Sequence, residues 1–203
     1  MQITESSYPG LRHLLDEIRW RMAGRVAPLL VALDGRSGTG KSTLAALLAS
    51  QLDAAVVESD DFYAGGTDAE WDARSPAEKA ALVIDWRRLQ AEALAPLLAG
   101  RPAAWHPFDF QAGHGLAAHT VTRDPARVIV LDGVYSARPE LADLVDMAIL
   151  VEAADDTARR QRLLAREGAP FMDAWHRRWD VAEDYYFTHV RPRSSFDLVI
   201  TST

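Results

Sequence analysis

The chain has 203 residues, of which 48% are hydrophobic and 25% are charged, and its formal net charge is −7. This length predicts a single domain whose core is large enough to fold without covalent cross-links. Cysteine is absent, which excludes disulfides, zinc–thiolate centres and thiol catalysis. The acidic balance argues against nucleic-acid and anionic-membrane partners, because both require basic surfaces.

Two further absences narrow the function. Asparagine does not occur in the chain, which excludes the Asn-Lys-x-Asp motif of Ras-like GTPases and the catalytic loop of protein kinases. The opening residues contain neither a basic segment nor an apolar core, and no uninterrupted apolar run approaches about 18 residues. We therefore expect a cytoplasmic protein that uses ATP rather than GTP and acts on a small molecule.

Residues 9–24 have the apolar spacing of a helix that ends at Gly24. We expect this helix to cover an edge of a sheet. The residues of its predicted buried face are Leu11, Leu14, Leu15, Ile18 and Met22.

A glycine-rich loop follows an apolar strand predicted near 28–34. Residues 35–42 read Gly-Arg-Ser-Gly-Thr-Gly-Lys-Ser, the Walker A pattern, and a helical apolar spacing follows it. Such a loop turns N–H groups towards phosphate, its lysine reaches the β- and γ-phosphates, and its Ser hydroxyl can hold Mg²⁺. The residues predicted to bind the phosphates of ATP are Gly35, Ser37, Gly38, Thr39, Gly40, Lys41, Ser42 and Thr43.

Two carboxylates follow the next predicted strand, 54–58. Ligands lie beyond the carboxyl ends of parallel strands, so Asp60 and Asp61 are expected on the phosphate side. A hydroxyl that attacks a phosphoryl group needs a proton acceptor, and one of these side chains can supply it. The alternative is that the two aspartates only cap the following turn.

The segment 64–124 departs from the strand pattern and is predicted to be an insertion that binds the acceptor. One helix is predicted to begin at Ser75. A second is predicted over 86–99, with Asp85 as its N-cap and a kink at Pro96.

Residues 105–114, in the same insertion, combine aromatic rings, a carboxylate and two imidazoles. This mixture suits either a pocket for a sugar or base, or aromatic packing under a lid. The histidines of the insertion have no metal-ligand spacing, so we do not expect them to bind a metal.

An almost wholly apolar strand is predicted at 128–132, as expected for a strand buried on both faces. It ends in Asp132, which we expect to hold Mg²⁺ together with Ser42, directly or through water. The alternative is that Asp132 only caps the turn at Gly133.

A further strand is predicted at 147–151, and a helix at 156–167 follows it. Arg159, Arg162 and Arg166 are three and four residues apart and share one face of this helix. They suit a lid, over about 155–168, that stabilises the charge of the transferring phosphoryl group. The alternative is a solvated helix paired with neighbouring acids.

The last predicted elements are a helix at 170–189 and a strand at 196–200. In this order the motifs resemble the uridine kinase and phosphoribulokinase family of P-loop kinases over nearly the whole chain. Residues 35–43 are similar to that family's loop, and residues 60–63 to its Asp-Ser-Phe-Tyr motif. The arginine helix is similar to the family's Asp-Thr-Arg lid only loosely.

The resemblance implies roles for particular residues. It selects Asp60 over Asp61 as the general base, adds Tyr63 to the substrate site, and makes Asp85 a ligand of ribose hydroxyls. From the loop and the predicted lid themselves, we expect Arg162 and Arg166 to be catalytic together with Lys41, and Arg159 to contact the substrate.

The departures from the family pattern bear on the acceptor. Where the uridine kinases have Pro-Tyr-Asp-Phe followed by a histidine, this chain has Pro-Phe-Asp-Phe over 107–110. The resemblance makes Phe108, Asp109 and His114 substrate-binding, but the tyrosine hydroxyl is missing and His114 lies one residue late. A site that loses a hydroxyl contact loses discrimination, so uridine specificity is weakened. Asp132 stands where the uridine kinases usually have Glu.

We expect an α/β protein with the three-layer P-loop NTPase fold, a five-stranded parallel sheet and a helical insertion, in one domain over 1–203; the resemblance implies strand order 2-3-1-4-5. The expected activity is transfer of the γ-phosphoryl group of ATP, with Mg²⁺, to a hydroxyl of a small molecule, most plausibly a nucleoside. Ribosylnicotinamide, pantothenate, a sugar phosphate or an antibiotic remain alternatives, as does a non-catalytic ATP-binding regulatory module. Whether the chain forms a homo-oligomer is left open.

Overall fold

The computed structural model describes residues 7–168 and 174–203. A five-stranded parallel sheet lies at its centre, in the order β2-β5-β1-β6-β7, and β3 pairs with β4 in a separate antiparallel hairpin. When only the five strands of this sheet are numbered along the chain, the order is 2-3-1-4-5, which confirms the predicted strand order. The strands are β1 (Leu29–Asp34), β2 (Ala55–Glu58), β3 (Ala103–Trp105), β4 (Val121–Arg123), β5 (Val128–Asp132), β6 (Met147–Ala153) and β7 (Leu198–Ser202).

Seven helices accompany the strands within the described residues, together with short 3₁₀ turns. Two of them, α5 and α7, are continuous helices that include wider π-type turns. The helices are α1 (Leu11–Met22), α2 (Lys41–Leu52), α3 (Asp68–Ala73), α4 (Pro76–Leu82), α5 (86–98), α6 (Asp156–Glu167) and α7 (174–190).

Helices cover both faces of the sheet, which gives the predicted three layers. Side chains alternate along a strand, and β1 shows the consequence: Val31 and Leu33 pack with α1 and α2, while Leu30 packs on the opposite side with α4, α5 and α7. Burial on both sides explains why the central strands are apolar throughout. The helix α1 covers a face of the sheet rather than an edge, so that expectation was wrong.

The insertion after β2 contains α3, α4, α5 and the β3–β4 hairpin, which was not predicted. Helix α5 runs past Pro96 because a π-type turn, Gln90–Leu94, precedes the proline. In that turn the Ala95 N–H donates to the carbonyl of Gln90, five residues back. The wider turn accommodates a residue that cannot donate a backbone hydrogen bond.

The C-terminal helix was predicted over 170–189, and the structure confirms the part from 174 onwards; residues 169–173 lie outside the described residues. Within the described part of the chain, no helix combines the length and apolar character needed to cross a membrane.

Candidate functional site

A cavity of about 580 Å³ opens beyond the carboxyl ends of β1, β2 and β5. This is the edge at which ligands bind in open parallel α/β sheets. The predicted loop forms one end of the cavity, and the insertion together with α7 forms the other. The loop residues that line it are Ser37, Gly38, Gly40, Lys41, Ser42 and Thr43, whereas Gly35 and Thr39 lie behind them.

The carbonyl groups of the loop are held by surrounding side chains. Four consecutive carbonyl oxygens each accept one hydrogen bond from outside the loop. The pairs are Ser37 with Arg159 (3.1 Å), Gly38 with Arg162 (3.3 Å), Thr39 with Ser202 (2.7 Å) and Gly40 with Tyr8 (2.7 Å). A carbonyl oxygen repels an anion, so fixing these oxygens away from the loop's centre favours a phosphate-binding conformation.

The junction between β1 and the loop is held by Asp34. Its carboxylate is fully buried and accepts four hydrogen bonds of 2.8–2.9 Å, from three backbone N–H groups and the Tyr186 hydroxyl. The backbone donors are Gly35, Tyr135 and Ala137. Gly35 has φ +148°, and a β-carbon there would collide with the carbonyl oxygen of Val151. Only glycine therefore fits at this first loop position.

Lys41 and Glu183 lie at the centre of the loop. The Lys41 ammonium donates to the carbonyl oxygens of Gly35 (2.8 Å) and Arg36 (3.0 Å). Glu183, from α7, accepts from the Ser37 hydroxyl at 2.6 Å and from the Ser37 N–H at 3.3 Å. Burial raises the pKa of Glu183, while the Ser37 bonds and the Lys41 charge oppose the shift.

The two adjacent aspartates point in different directions. Both lie in the 3₁₀ turn Ser59–Phe62, where consecutive side chains are about 120° apart. Asp60 lines the cavity, whereas the Asp61 carboxylate leaves it and accepts from the Trp105 indole at 2.8 Å. The structure thus brings only Asp60 to the site.

Asp132 lies at the end of β5, beside the loop. It is 4% exposed, lines the cavity, and its Oδ1 has no hydrogen-bond partner among the described residues. Burial raises its pKa, and the Lys41 charge and the nearby Ser42 hydroxyl oppose this. An unpartnered buried carboxylate oxygen beside a hydroxyl fits a hard divalent cation.

No group of three or more His, Asp or Glu side chains in the described ranges is arranged to hold a metal alone. Mg²⁺ usually binds through one or two carboxylates, with phosphate oxygens and water completing the shell. The Ser42 and Asp132 pair matches that pattern. Glu58, which pairs in register with Asp132, adds a further acidic group at the cavity wall.

The three arginines of α6 have different positions. Arg162 and Arg166 line the cavity, as a phosphoryl-stabilising role requires. Arg159 is 4% exposed and lies outside it, bonded to Asp156 (2.7 Å) and to the Ser37 carbonyl (3.1 Å). The structure therefore does not place Arg159 against an acceptor, because these contacts hold its guanidinium behind the loop.

The far end of the cavity is aromatic. Tyr63 lies within 4.8–6.3 Å, centroid to centroid, of four rings, and one of these, Trp71, packs behind the wall. The other three, Phe108, Phe110 and Trp179, line the cavity with Tyr63. Arg178 also lies there, but Asp68 (2.6 Å) and Asp72 (2.7 Å) neutralise its guanidinium. This end can bury a ring and offers little free positive charge.

Besides Arg159, three predicted substrate residues lie outside the cavity lining. Asp85 caps α5 through the Arg88 N–H at 3.0 Å, as its local sequence predicts. Asp109 accepts the N–H groups of Gln111 and Ala112 in its own turn. His114 is exposed, and only its neighbour Gly113 reaches the cavity wall. All three side chains serve or flank local turns in this structure.

Sequence reasoning missed Asp34, Glu183 and Trp179. Asp34 carried a usable signal, since a carboxylate that ends an apolar strand needs several donors. Glu183 and Trp179 carried none, because their positions depend on how α7 packs across the loop.

The fold and the loop define the class of protein: the chain has the fold of the P-loop kinases. It is similar over 93% of its length, at 21% identity and a TM-score of 0.68, to a proposed uridine kinase from Bacillus stearothermophilus, of which 98% is covered. A proposed fructose transport system kinase from Silicibacter sp. TM1040 matches at 25% identity and a TM-score of 0.67, with 93% and 98% of the two chains covered. These matches confirm the predicted resemblance.

No protein-family model matches the chain, and no curated protein does.

Proposed function

We propose that the protein is an ATP-dependent kinase that transfers the γ-phosphoryl group to a hydroxyl of a small molecule, with a nucleoside as the favoured acceptor. One observation supports this above the others: Asp60, the loop and Asp132 line a single cavity whose far end can hold an acceptor. The three parts that phosphoryl transfer needs thus line one cavity.

In the proposed mechanism, the loop N–H groups and Lys41 bind the phosphates, and Arg162 and Arg166 stabilise the charge of the phosphoryl group in transfer. Asp60 accepts the proton of the attacking hydroxyl. Ser42 and Asp132 would hold Mg²⁺, which neutralises phosphate charge and orients the leaving group. Glu58, Asp60 and Asp132 bring three carboxyl groups to this edge, and a bound cation would offset the negative charge of their ionised forms.

The aromatic end supports a ring-bearing acceptor. Tyr63, Phe108 and Trp179 can stack on or surround a base. A sugar phosphate is disfavoured at this end because the Arg178 charge is already matched by Asp68 and Asp72. Ribosylnicotinamide, whose ring is cationic, remains compatible with such a wall, and pantothenate or an antibiotic hydroxyl are further alternatives.

Uridine specificity is not part of the proposal. Phe108 has no hydroxyl to recognise a base, and His114 lies outside the cavity lining. A buried apolar ring discriminates weakly between acceptors that differ by one polar group.

One observation favours a second candidate, a non-catalytic ATP-binding module: the Lys41 ammonium donates to two loop carbonyl oxygens. The deciding experiment measures ADP release with Mg·ATP against nucleosides, ribosylnicotinamide, pantothenate and sugar phosphates, with the product confirmed by mass. An acceptor that raises ADP release well above the rate with Mg·ATP alone supports the kinase.

Asp60→Asn should then lower the transfer rate by about 10²- to 10⁴-fold with ATP binding retained. Asp61→Asn is the matched control, since Asp61 lies in the same turn but contacts Trp105. Equal losses in both variants, or no loss in Asp60→Asn, would contradict the assignment of the base. A flat acceptor panel with tight ATP binding would favour the non-catalytic module.

A further inference from the structure

The side chain of Glu183 reaches into the phosphate-binding loop from a distant helix. Its carboxylate accepts the Ser37 hydroxyl at 2.6 Å, and both of its oxygens lie 3.3 Å from the Ser37 nitrogen. Glu183 is only 2% exposed, and both it and Ser37 line the main cavity. An internal carboxyl group thus lies where the loop presents a donor.

The chemistry of this contact is that of phosphate binding. Backbone N–H groups in such a loop bind anions whatever their source, and a carboxylate oxygen is an acceptor of the same kind as a phosphate oxygen. The Lys41 charge acts on Glu183 as well. The positive charge of the loop is therefore partly balanced by Glu183, a residue of the same chain.

The position of Glu183 is fixed by contacts that the residues after it in α7 make with the loop and its anchor. The next residue, Asp184, forms an ion pair with Arg36 at 2.6 Å. Three residues after Glu183, the Tyr186 hydroxyl donates to the buried carboxylate of Asp34 at 2.8 Å. These contacts hold the Glu183 carboxylate against the loop, which favours a defined role over a chance contact.

We propose that Glu183 is a positioning residue that sets the affinity of the loop for anions: it occupies the anion position beside Ser37, and an entering polyphosphate displaces it. The inference rests on the proposed function only in taking ATP as the physiological polyphosphate. Two carboxylate oxygens and phosphate oxygens cannot share one donor pair, and two anions side by side repel each other. Occupation by Glu183 therefore opposes nucleotide binding until the side chain moves.

The test is the sign of a change in affinity. Glu183→Gln keeps the size of the side chain and an oxygen that can accept from Ser37, but removes the charge. Calorimetric titration with pyrophosphate and with Mg·ATP should show binding at least about tenfold tighter in this variant than in the unmodified chain. Weaker or unchanged binding would overturn the proposal, because a residue that merely supports the loop can only lose affinity when altered.

Asp184→Asn is the matched control. It removes one negative charge from the same helix, next to the same loop, but Asp184 pairs with Arg36 at the surface and does not line the cavity. Its affinity for pyrophosphate should change by less than about twofold. An equal gain in both variants would mean that general charge, not the anion position, sets the affinity, and the proposal would fail.

A second variant covers the case in which Glu183→Gln does not fold. Ser37→Ala removes the 2.6 Å bond that holds the carboxylate, and should also tighten pyrophosphate binding. A loss of affinity in Ser37→Ala would overturn the proposal.

The outcomes for Glu183 and for the proposed kinase activity can be told apart. Tighter binding in the variants, with no acceptor phosphorylated by the unmodified chain, would support the role of Glu183 and contradict the kinase activity. Phosphoryl transfer by the unmodified chain, without tighter binding in the variants, would support the kinase activity and contradict the role of Glu183.

Discussion

The two ends of the cavity are built in different ways. At the phosphate end the functional groups are mainly backbone N–H groups within eight consecutive residues, 35–42. Side chains from α6, β7 and the N-terminal turn hold that backbone through its carbonyl oxygens. The chemistry is local in sequence, and the rest of the fold supports it.

At the acceptor end the functional groups are side chains from separate segments. Tyr63 follows β2, Phe108 follows β3, and Trp179 comes from α7, more than 70 residues later. No backbone motif holds them, and their packing depends on the insertion and α7 meeting across the cavity. The comparison teaches that the donors of the phosphate end cannot be removed one side chain at a time, because they belong to the backbone, whereas the acceptor end can be altered one ring at a time.

The largest effect is expected where the loop's conformation is anchored. Asp34→Ala should destabilise the fold by about 3–5 kcal/mol, since it leaves three buried N–H groups and the Tyr186 hydroxyl without an acceptor. It should also abolish ATP binding, because the first turn of the loop loses its anchor. Denaturant unfolding and calorimetric titration would measure the two effects.

Asp146→Ala is the control for that experiment. Asp146 accepts the Leu30 N–H at 2.9 Å near the opposite end of β1 and is partly exposed beside Arg25. Asp146→Ala should lower the free energy of unfolding by about 1 kcal/mol and leave ATP binding unchanged. If both variants bound ATP equally well, the claim that Asp34 anchors the loop would be wrong.

The same contrast explains what the sequence could predict. The strands, the loop and Asp132 follow from local patterns, because buried strands are apolar and a phosphate loop needs glycine at fixed positions. The strand order came from the resemblance. The different directions of Asp60 and Asp61 depend on a single 3₁₀ turn and could not be predicted from two adjacent identical residues.

The acceptor end was predicted least well for a physical reason. Asp85 and Asp109 each accept a backbone N–H in their own turn, and Arg159 pairs with Asp156 three residues before it. Such local contacts compete with a binding role that a motif alone would assign. Trp179 and Glu183 reach the cavity through the packing of α7, which no short pattern encodes.

An intermediate effect is expected at the acceptor end. Trp179→Ala should raise KM for the acceptor by about 10- to 100-fold, equivalent to about 1.4–2.8 kcal/mol of lost ring contact, with KM for ATP little changed. Trp86→Ala is the control, because Trp86 is half-buried and stacked by Arg87 but does not line the cavity. Steady-state kinetics with each substrate varied would separate the two. If Trp179→Ala raised KM for ATP but not KM for the acceptor, Trp179 would act at the phosphate end of the cavity and the prediction would be wrong.

The smallest effect should come from restoring one hydroxyl. Phe108→Tyr supplies the group found in the uridine kinase motif, on a ring that packs 4.8 Å from Tyr63 and lines the cavity. One neutral hydrogen bond is worth about 0.5–1.5 kcal/mol, so kcat/KM for uridine relative to the other nucleosides should rise by roughly two- to tenfold. Phe110→Tyr, on a ring that is 61% exposed, adds the same group where water already competes for it and should leave the ratio unchanged. An unchanged ratio in Phe108→Tyr would mean that this ring contributes shape rather than recognition, and that the acceptor is chosen elsewhere on the aromatic wall.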